Sequence, residues 1–179
     1  MKVVFGNDHY GLHMKELLLP YVQSLGFEVH NIGTDSNEPV DYPDIAEELA
    51  LRIISGDFDR GILICGTGIG MAIVANKVTG IRAAQIYDIY TAECAAKSND
   101  ANVISLGAQV IGPESAKLLV QVWLQSEFAA GRSARKVQKI QRIDEKHRSD
   151  VHLKLRRKKE SPNAGAIDWK ELTPPDDSE

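Results

Sequence analysis

Five times along the chain, a short apolar run gives way to a longer amphipathic stretch, and this alternation limits the fold more than any other feature. Lys2–Gly6 is β-branched and apolar and ends on glycine, the pattern of a buried strand. Tyr10–Leu25 then places Leu17, Leu18, Tyr21, Val22 and Leu25 at helical spacing, with Gly26 as a stop. Phe27–Ile32 is the second strand, closed by Gly33. A polar loop with Asp35, Asn37 and Pro39 leads to a helix over Tyr42–Ser55, with Asp41 as N-cap and Pro43 in the first turn. Gly61–Cys65 reads as a strand, Ile69–Val78 as a helix, Ile81–Ile86 as a strand and Thr91–Lys97 as a helix. Asn102–Leu106 is the last strand, and Pro113–Phe128 a helix opened by proline.

Strands alternating with helices predict a parallel sheet covered on both faces. An eight-fold barrel needs about 250 residues. A chain of 179 residues is expected instead to form an open, doubly wound, five-stranded α/β sheet of Rossmann-like type with a C-terminal helical extension. The extension carries Val137, Ile140, Ile143, His147, Val151 and Leu155 as a narrow apolar stripe, suited to packing against a second subunit. The expected division is a domain over residues 1–147 and a basic helix with an acidic, mobile tail over 148–179. The tail is marked by a break at 161–165 and by Pro174-Pro175-Asp176-Asp177.

Charge follows the same division. Residues 1–130 hold 8 Lys/Arg against 16 Asp/Glu, residues 131–160 hold 12 against 4, and residues 161–179 hold 1 against 5. The net charge of −4 therefore conceals an acidic body, a basic segment and an acidic tail. The basic segment lacks interleaved aromatics and any nucleic-acid motif, so a solvated or subunit-facing surface is expected rather than a nucleic-acid site. No apolar run is long enough to span a bilayer, and the N-terminal residues lack the pattern of a signal peptide. Two cysteines make neither a disulfide framework nor a zinc set, which points to the cytoplasm. Cys94 and Trp123 are expected in the core, and Trp169 as a tail anchor.

Ligands of open parallel sheets bind beyond the carboxyl ends of the strands. Those ends deliver Asn7-Asp8-His9, Cys65-Gly66-Thr67-Gly68-Ile69-Gly70, Tyr87-Asp88 and Gly107-Ala108-Gln109. The alternating glycines let the backbone turn tightly and point N–H groups inward, and a helix begins at once behind them. Such a nest suits a phosphate, a carboxylate or a developing oxyanion. Cys65 at its lip has two readings: a small strand residue beside a glycine turn, or a thiolate held by the nest and usable as a base. Asp8-His9 pairs a hydroxyl acceptor with an imidazole, although His9 alone reads equally well as a plain loop histidine. His9 and His13 lack a carboxylate at metal-ligand spacing, so no metal and no other cofactor is called for. The loop departs from Walker A because Met71 follows Gly70. It is G-x-G-x-G after the third strand rather than G-x-G-x-x-G after the first, but Asp88 lies roughly 20 residues on, which keeps a nucleotide-binding module as an alternative.

These residues resemble the ribose-5-phosphate isomerase B and galactose-6-phosphate isomerase family. The likeness runs over about residues 1–147, through Phe5-Gly6-Asn7-Asp8-His9, Gly33-Thr34, Asp41-Tyr42-Pro43, Gly61–Gly70, Ala75-Asn76-Lys77, Gly80-Ile81-Arg82-Ala83, Asn99–Ile104 and Gly131-Arg132. The resemblance implies a metal-free aldose–ketose isomerase of sugar phosphates, with ribose 5-phosphate and ribulose 5-phosphate as the default pair. It implies that Cys65 moves a proton between C1 and C2 through a cis-enediolate and that Gly66, Thr67, Gly68, Ile69 and Gly70 hold the charge. Thr67 and His9 are then further catalytic candidates, with Asp8, His9 and Tyr42 meeting the substrate. Asn99 and basic phosphate ligands come from a partner subunit, so the active unit is a homodimer or homotetramer. Three positions depart from the family pattern: Ser98 replaces the ring-opening histidine, Gln109 a phosphate-binding arginine, and Lys136 the arginine beyond Arg132. Ser98 and Gly131-Arg132-Ser133 resemble members that handle erythrulose 4-phosphate, so a tetrose 4-phosphate is an alternative substrate, as is a hexose 6-phosphate. The extension resembles the longer galactose-6-phosphate subunits in length.

Overall fold

A computed structural model of the chain describes the backbone of residues 1–159 and the side chains of residues 1–147. The readings made for 161–165, Trp169 and the proline-rich tail lie outside the described residues, as do the side chains of Val151 and Leu155. Strands β1 (Lys2–Asn7), β2 (Glu28–Asn31), β3 (Arg60–Cys65), β4 (Ala83–Gln85) and β5 (Val103–Gly107) alternate with helices α1 (Leu12–Ser24), α2 (Tyr42–Ile54), α3 (Ile69–Ala75), α4 (Ile89–Lys97) and α5 (Pro113–Gln125). A 3-10 turn over His9–Gly11 precedes α1, and α6 (Gly131–Lys159) follows α5. All strand pairs are parallel, in the order β2-β1-β3-β5-β4. The chain divides into two units, Met1–Arg142 and Ile143–Glu179.

The period-two alternation of each strand divides the core into two layers. Val3, Phe5, Ile62, Ile64, Ile104 and Leu106 face α1, α4 and α5, where they meet Leu18, Ala95 and Trp123. Val4, Leu63, Cys65 and Val103 face the other way, onto Leu49, Ile53, Met71 and Ala75 of α2 and α3. Trp123 is fully buried. Cys94 is only partly buried, because α4 turns Ala92, Ala95 and Ala96 inward and leaves Cys94 beside Tyr90. On α1 the buried face is Leu12, Met14, Lys15, Leu18 and Val22 rather than the full leucine stripe. On α6 Val137 is buried, whereas Ile140 and Ile143 stay exposed.

This topology fixes where a ligand can sit. The chain leaves β1 for β2 on one side and returns to β3 on the other, so the ends of β1 and β3 diverge at a topological switch point. Asp8 and Cys65 stand at those two ends, tied by the Asp8 N–H donating to the Ile64 carbonyl at 3.2 Å.

Candidate active site

Cys65 closes β3 and is buried. Its Sγ accepts a hydrogen bond from the Gly68 N–H at 3.1 Å. That bond requires the loop to fold back on itself, and Gly68 permits it with a φ of +81°. A Cβ there would be strained in conformation and would stand 3.0 Å from the Leu106 carbonyl carbon. The loop's carbonyls are turned away and held: the Thr67 oxygen accepts from Gln85 Nε2 at 2.8 Å, and the Gly68 oxygen from the buried Ser105 hydroxyl at 2.7 Å. Both carbonyls are thus committed within the protein and do not face a ligand. The Thr67 hydroxyl accepts from the Ile69 N–H at 3.3 Å, and its own proton is left for an acceptor beyond the loop.

Three side chains wall the nest. The Tyr42 ring, at the start of α2, packs so tightly on Gly70 that a Cβ at that position would lie 2.7 Å from the ring. Gln109 and Tyr10 flank Gly66, where a Cβ would stand 3.1 Å from Gln109 Oε1 and 3.7 Å from the Tyr10 ring. On the β1 side, Asp8 caps the 3-10 turn by accepting from the Gly11 N–H at 3.0 Å. Burial pushes its carboxyl above the ordinary 3.8, against the opposing pull of that bond and of His9. His9 Nδ1 accepts from the Val40 N–H at 3.3 Å, which places the proton of the neutral ring on Nε2. Its ring leans on Tyr10 at 4.3 Å between centroids.

The expected site residues thus fall into two groups. Asp8, His9, Tyr42, Cys65, Gly66, Thr67, Gly68, Ile69, Gly70 and Gln109 converge at the carboxyl ends of the strands. Ser98, Asn99, Arg132 and Lys136 do not join them. Ser98 ends α4, which has run back to the opposite edge of the sheet. The next turn passes the Asn102 carbonyl to the Gly61 N–H at the start of β3, four residues and roughly 13 Å along the strand from Cys65. The Ala129 N–H donates to the Lys97 carbonyl, which brings the start of α6 to that same edge. There Gly131, Arg132, Ser133, Arg135 and Lys136 line one basic pocket, while Asn99 and Ile140 line a neighbouring one.

Tyr10, Gln85 and Ser105 were not singled out in the sequence. Ser105 and Gln85 leave one signal, a polar side chain in an otherwise apolar strand; Tyr10 leaves none. Asp88 is committed elsewhere: its carboxylate accepts from the Thr91 N–H at 2.7 Å and completes a capping box on α4. It also lies in the turn that leads from β4 to α4, and β4 is separated from β3 by β5. Among the described residues no three His, Cys, Asp or Glu side chains cluster to hold a metal ion, and no helix is long and apolar enough to cross a membrane.

A family model described as Ribose/Galactose Isomerase matches residues 3–140. The chain belongs to this family. It is 51% identical to the ribose-5-P isomerase B of Listeria innocua over 83% of this chain and 100% of that one. It is 50% identical to the D-erythrulose-4-phosphate isomerase of Pectobacterium atrosepticum, covering 78% and 93% respectively. The solved ribose-5-phosphate isomerase B of Clostridium thermocellum superposes with a TM-score of 0.80 at 45% identity, over 82% of this chain and 99% of that one. That solved structure thus shares the α/β fold of this chain.

Proposed function

We propose that this family member is a cytoplasmic aldose–ketose isomerase of sugar phosphates, with ribose 5-phosphate and ribulose 5-phosphate as its pair, working without metal or other cofactor. The observation that carries the reading is Cys65 Sγ receiving the Gly68 N–H at the lip of the glycine nest. A base beside an oxyanion site is what an enediolate requires. In the open-chain aldose the Cys65 thiolate takes the C2 proton, the C–H electrons form C1=C2, and the carbonyl pair moves onto O1. The loop amides and the Thr67 hydroxyl hold that charge. O2 then gives up its proton as O1 gains one, and the Cys65 thiol returns its proton to C1, leaving the ketose. Asp8 and His9 contact the sugar hydroxyls and Tyr42 walls the chain of carbons, with Gln109 at the mouth.

Ser98, Asn99, Arg132 and Lys136 complete the site from a second copy, the two basic residues meeting the phosphate. Two features support sharing. These residues sit at the wrong end of their own sheet, and the rim of the nest exposes Tyr10, Ile69, Ile73 and Val110, a patch suited to being covered. The active unit is a homodimer or homotetramer acting on a small molecule, with no role in nucleic-acid or membrane binding. A nucleotide-binding role is disfavoured because Asp88, its required ribose acceptor, is spent on the α4 cap.

Ser98 favours a second substrate. Serine is a poor acid for ring opening, and a four-carbon sugar phosphate cannot close the usual phosphorylated furanose, so erythrulose 4-phosphate needs no such acid. Two experiments decide. Cys65→Ala should lower turnover by about 10²–10⁴-fold and abolish deuterium exchange at C2, with the fold intact; near-normal turnover would sink the mechanism. A panel of pentose, tetrose and hexose phosphates ranks the substrates, and a kcat/KM highest for ribose 5-phosphate rejects the tetrose reading.

A further inference from the structure

One buried charge serves no purpose visible in the core. Lys15 lies on the inward face of α1 beside Met14 and Leu18 and is only 3% exposed. Lysine is almost never buried so completely without partners, because removing its charge from water is costly. Its ammonium donates to two acceptors, the Thr34 carbonyl at 3.0 Å and the Asp35 carboxylate, and both belong to the loop that follows β2. Asn31 Nδ2 steadies the same carboxylate at 3.1 Å, and the Lys15 charge holds the Asp35 carboxyl below its ordinary range.

That loop leads to the site. Asn7 Nδ2 reaches the same Thr34 carbonyl at 3.0 Å, and the Thr34 N–H donates back to the Asn7 carbonyl. Past Asp35 the loop bonds locally, between Thr34, Ser36 and Glu38, and residues 35–39 are exposed. At Val40 the chain meets the 3-10 turn that follows β1, where the Val40 N–H donates to His9 Nδ1. His9 Nδ1 is thus bonded to the far end of a solvent-facing loop whose near end is held by Asn7 and by the Lys15 ammonium.

We propose that Lys15 is a positioning residue for His9: its buried ammonium seats the Thr34–Val40 loop, and the Val40 N–H in turn holds His9 as the Nε2–H tautomer. This rests on the reading of His9 as a substrate contact. Lys15→Met keeps the apolar stem and removes the ammonium, whereas Asp35→Ala removes one acceptor from an exposed position, 80% accessible at its side chain. In the full-length protein, ring-nitrogen NMR should show the Nε2–H tautomer of His9 giving way to a mixture in both variants. Exchange of the Val40 amide should accelerate at least about tenfold, and kcat should fall by about tenfold with a smaller change in KM. A purely structural lysine would lower thermal stability and move none of these. Unchanged His9 nitrogen shifts and Val40 exchange in folded Lys15→Met overturn the proposal. If Lys15→Met does not fold, Asp35→Ala decides alone on the same two readouts. If the parent protein isomerises no sugar phosphate, the proposed function fails, while the tautomer and exchange measurements still decide the role of Lys15.

Discussion

At the scale of single residues, Asp8 shows what burying a carboxyl does to stability. Its carboxyl is buried, and burial outweighs the stabilising bond from Gly11, so the folded state holds the Asp8 proton to higher pH than the unfolded chain does. The native state then binds more protons between 3.8 and the raised value, and the Asp8 contribution to stability is full below that window and lost as pH rises through it. Asp8→Asn keeps an oxygen for the Gly11 N–H and never ionises. Its thermal midpoint should gain on the parent's as pH is raised through the window, while isomerase activity falls; a midpoint difference flat from pH 3 to 8 would show that the burial costs nothing. The Gly70–Tyr42 contact is a second case. Gly70→Ala forces a methyl to within 2.7 Å of the ring, an overpacking cost of about 1–3 kcal/mol. Repeating it in Tyr42→Ala should cost almost nothing extra, and additive losses in that double-mutant cycle would place the ring elsewhere. Cys65 and the glycines could be read directly from the sequence because a glycine-rich strand end carries its geometry in consecutive residues. Lys15 could not: a lysine beside apolar neighbours on a helix normally reads as solvent-facing, and its acceptors lie 19 and 20 residues away.

At the scale of elements, the alternation of apolar and amphipathic runs was enough to call all five strands and the helices between them, with ends shifted by a few residues. The strand β4 shortened most, from the expected Ile81–Ile86 to Ala83–Gln85, because it lies at the sheet edge and pairs on one side only. Position of β5 between β3 and β4 had no local signal, since periodicity reports which face is buried and not which strand is adjacent. One long-range device holds the elements together at the lower edge. Arg60, at the start of β3, donates to the Trp123 carbonyl at 2.5 Å and to the Ser126 carbonyl at 2.8 Å, and its guanidinium stacks 4.9 Å from the Trp123 ring centroid. It adds a second donor to the Trp123 carbonyl, which also accepts from the Ser126 N–H at 3.3 Å, and it supplies a donor to the Ser126 carbonyl beyond the end of α5. Arg60→Met should cost about 2 kcal/mol. The expected readout is a lowered urea midpoint with unchanged slope; an unchanged midpoint would mean that solvent caps α5 equally well.

At the scale of the whole molecule, the candidate site residues form two groups that the chain's own sheet keeps apart. The nest, Asp8 and His9 stand at the carboxyl ends of the strands, and Asn99, Arg132 and Lys136 stand at the edge where β3 begins. The charge pattern runs along the same division: the acidic body carries the nest, and under the proposed function the segment after residue 130 brings the positive charge that a phosphate needs. If two copies join nest to basic edge, each site is built from both chains, and a defect in either half inactivates a different chain's share of it. Cys65→Ala and Arg132→Ala should each be inactive as homo-oligomers. Co-expressed in equal amounts, they should regain about a quarter of the parent's activity, because half of the random dimers are mixed and each mixed dimer has one intact site of two. The recovery must follow the mixed species when differently tagged chains are separated, and its kcat per intact site must match the parent's. Mixed dimers isolated in this way but without activity would show that Cys65 and Arg132 serve the same site from the same chain, which the sheet could satisfy only by a conformation different from the one described.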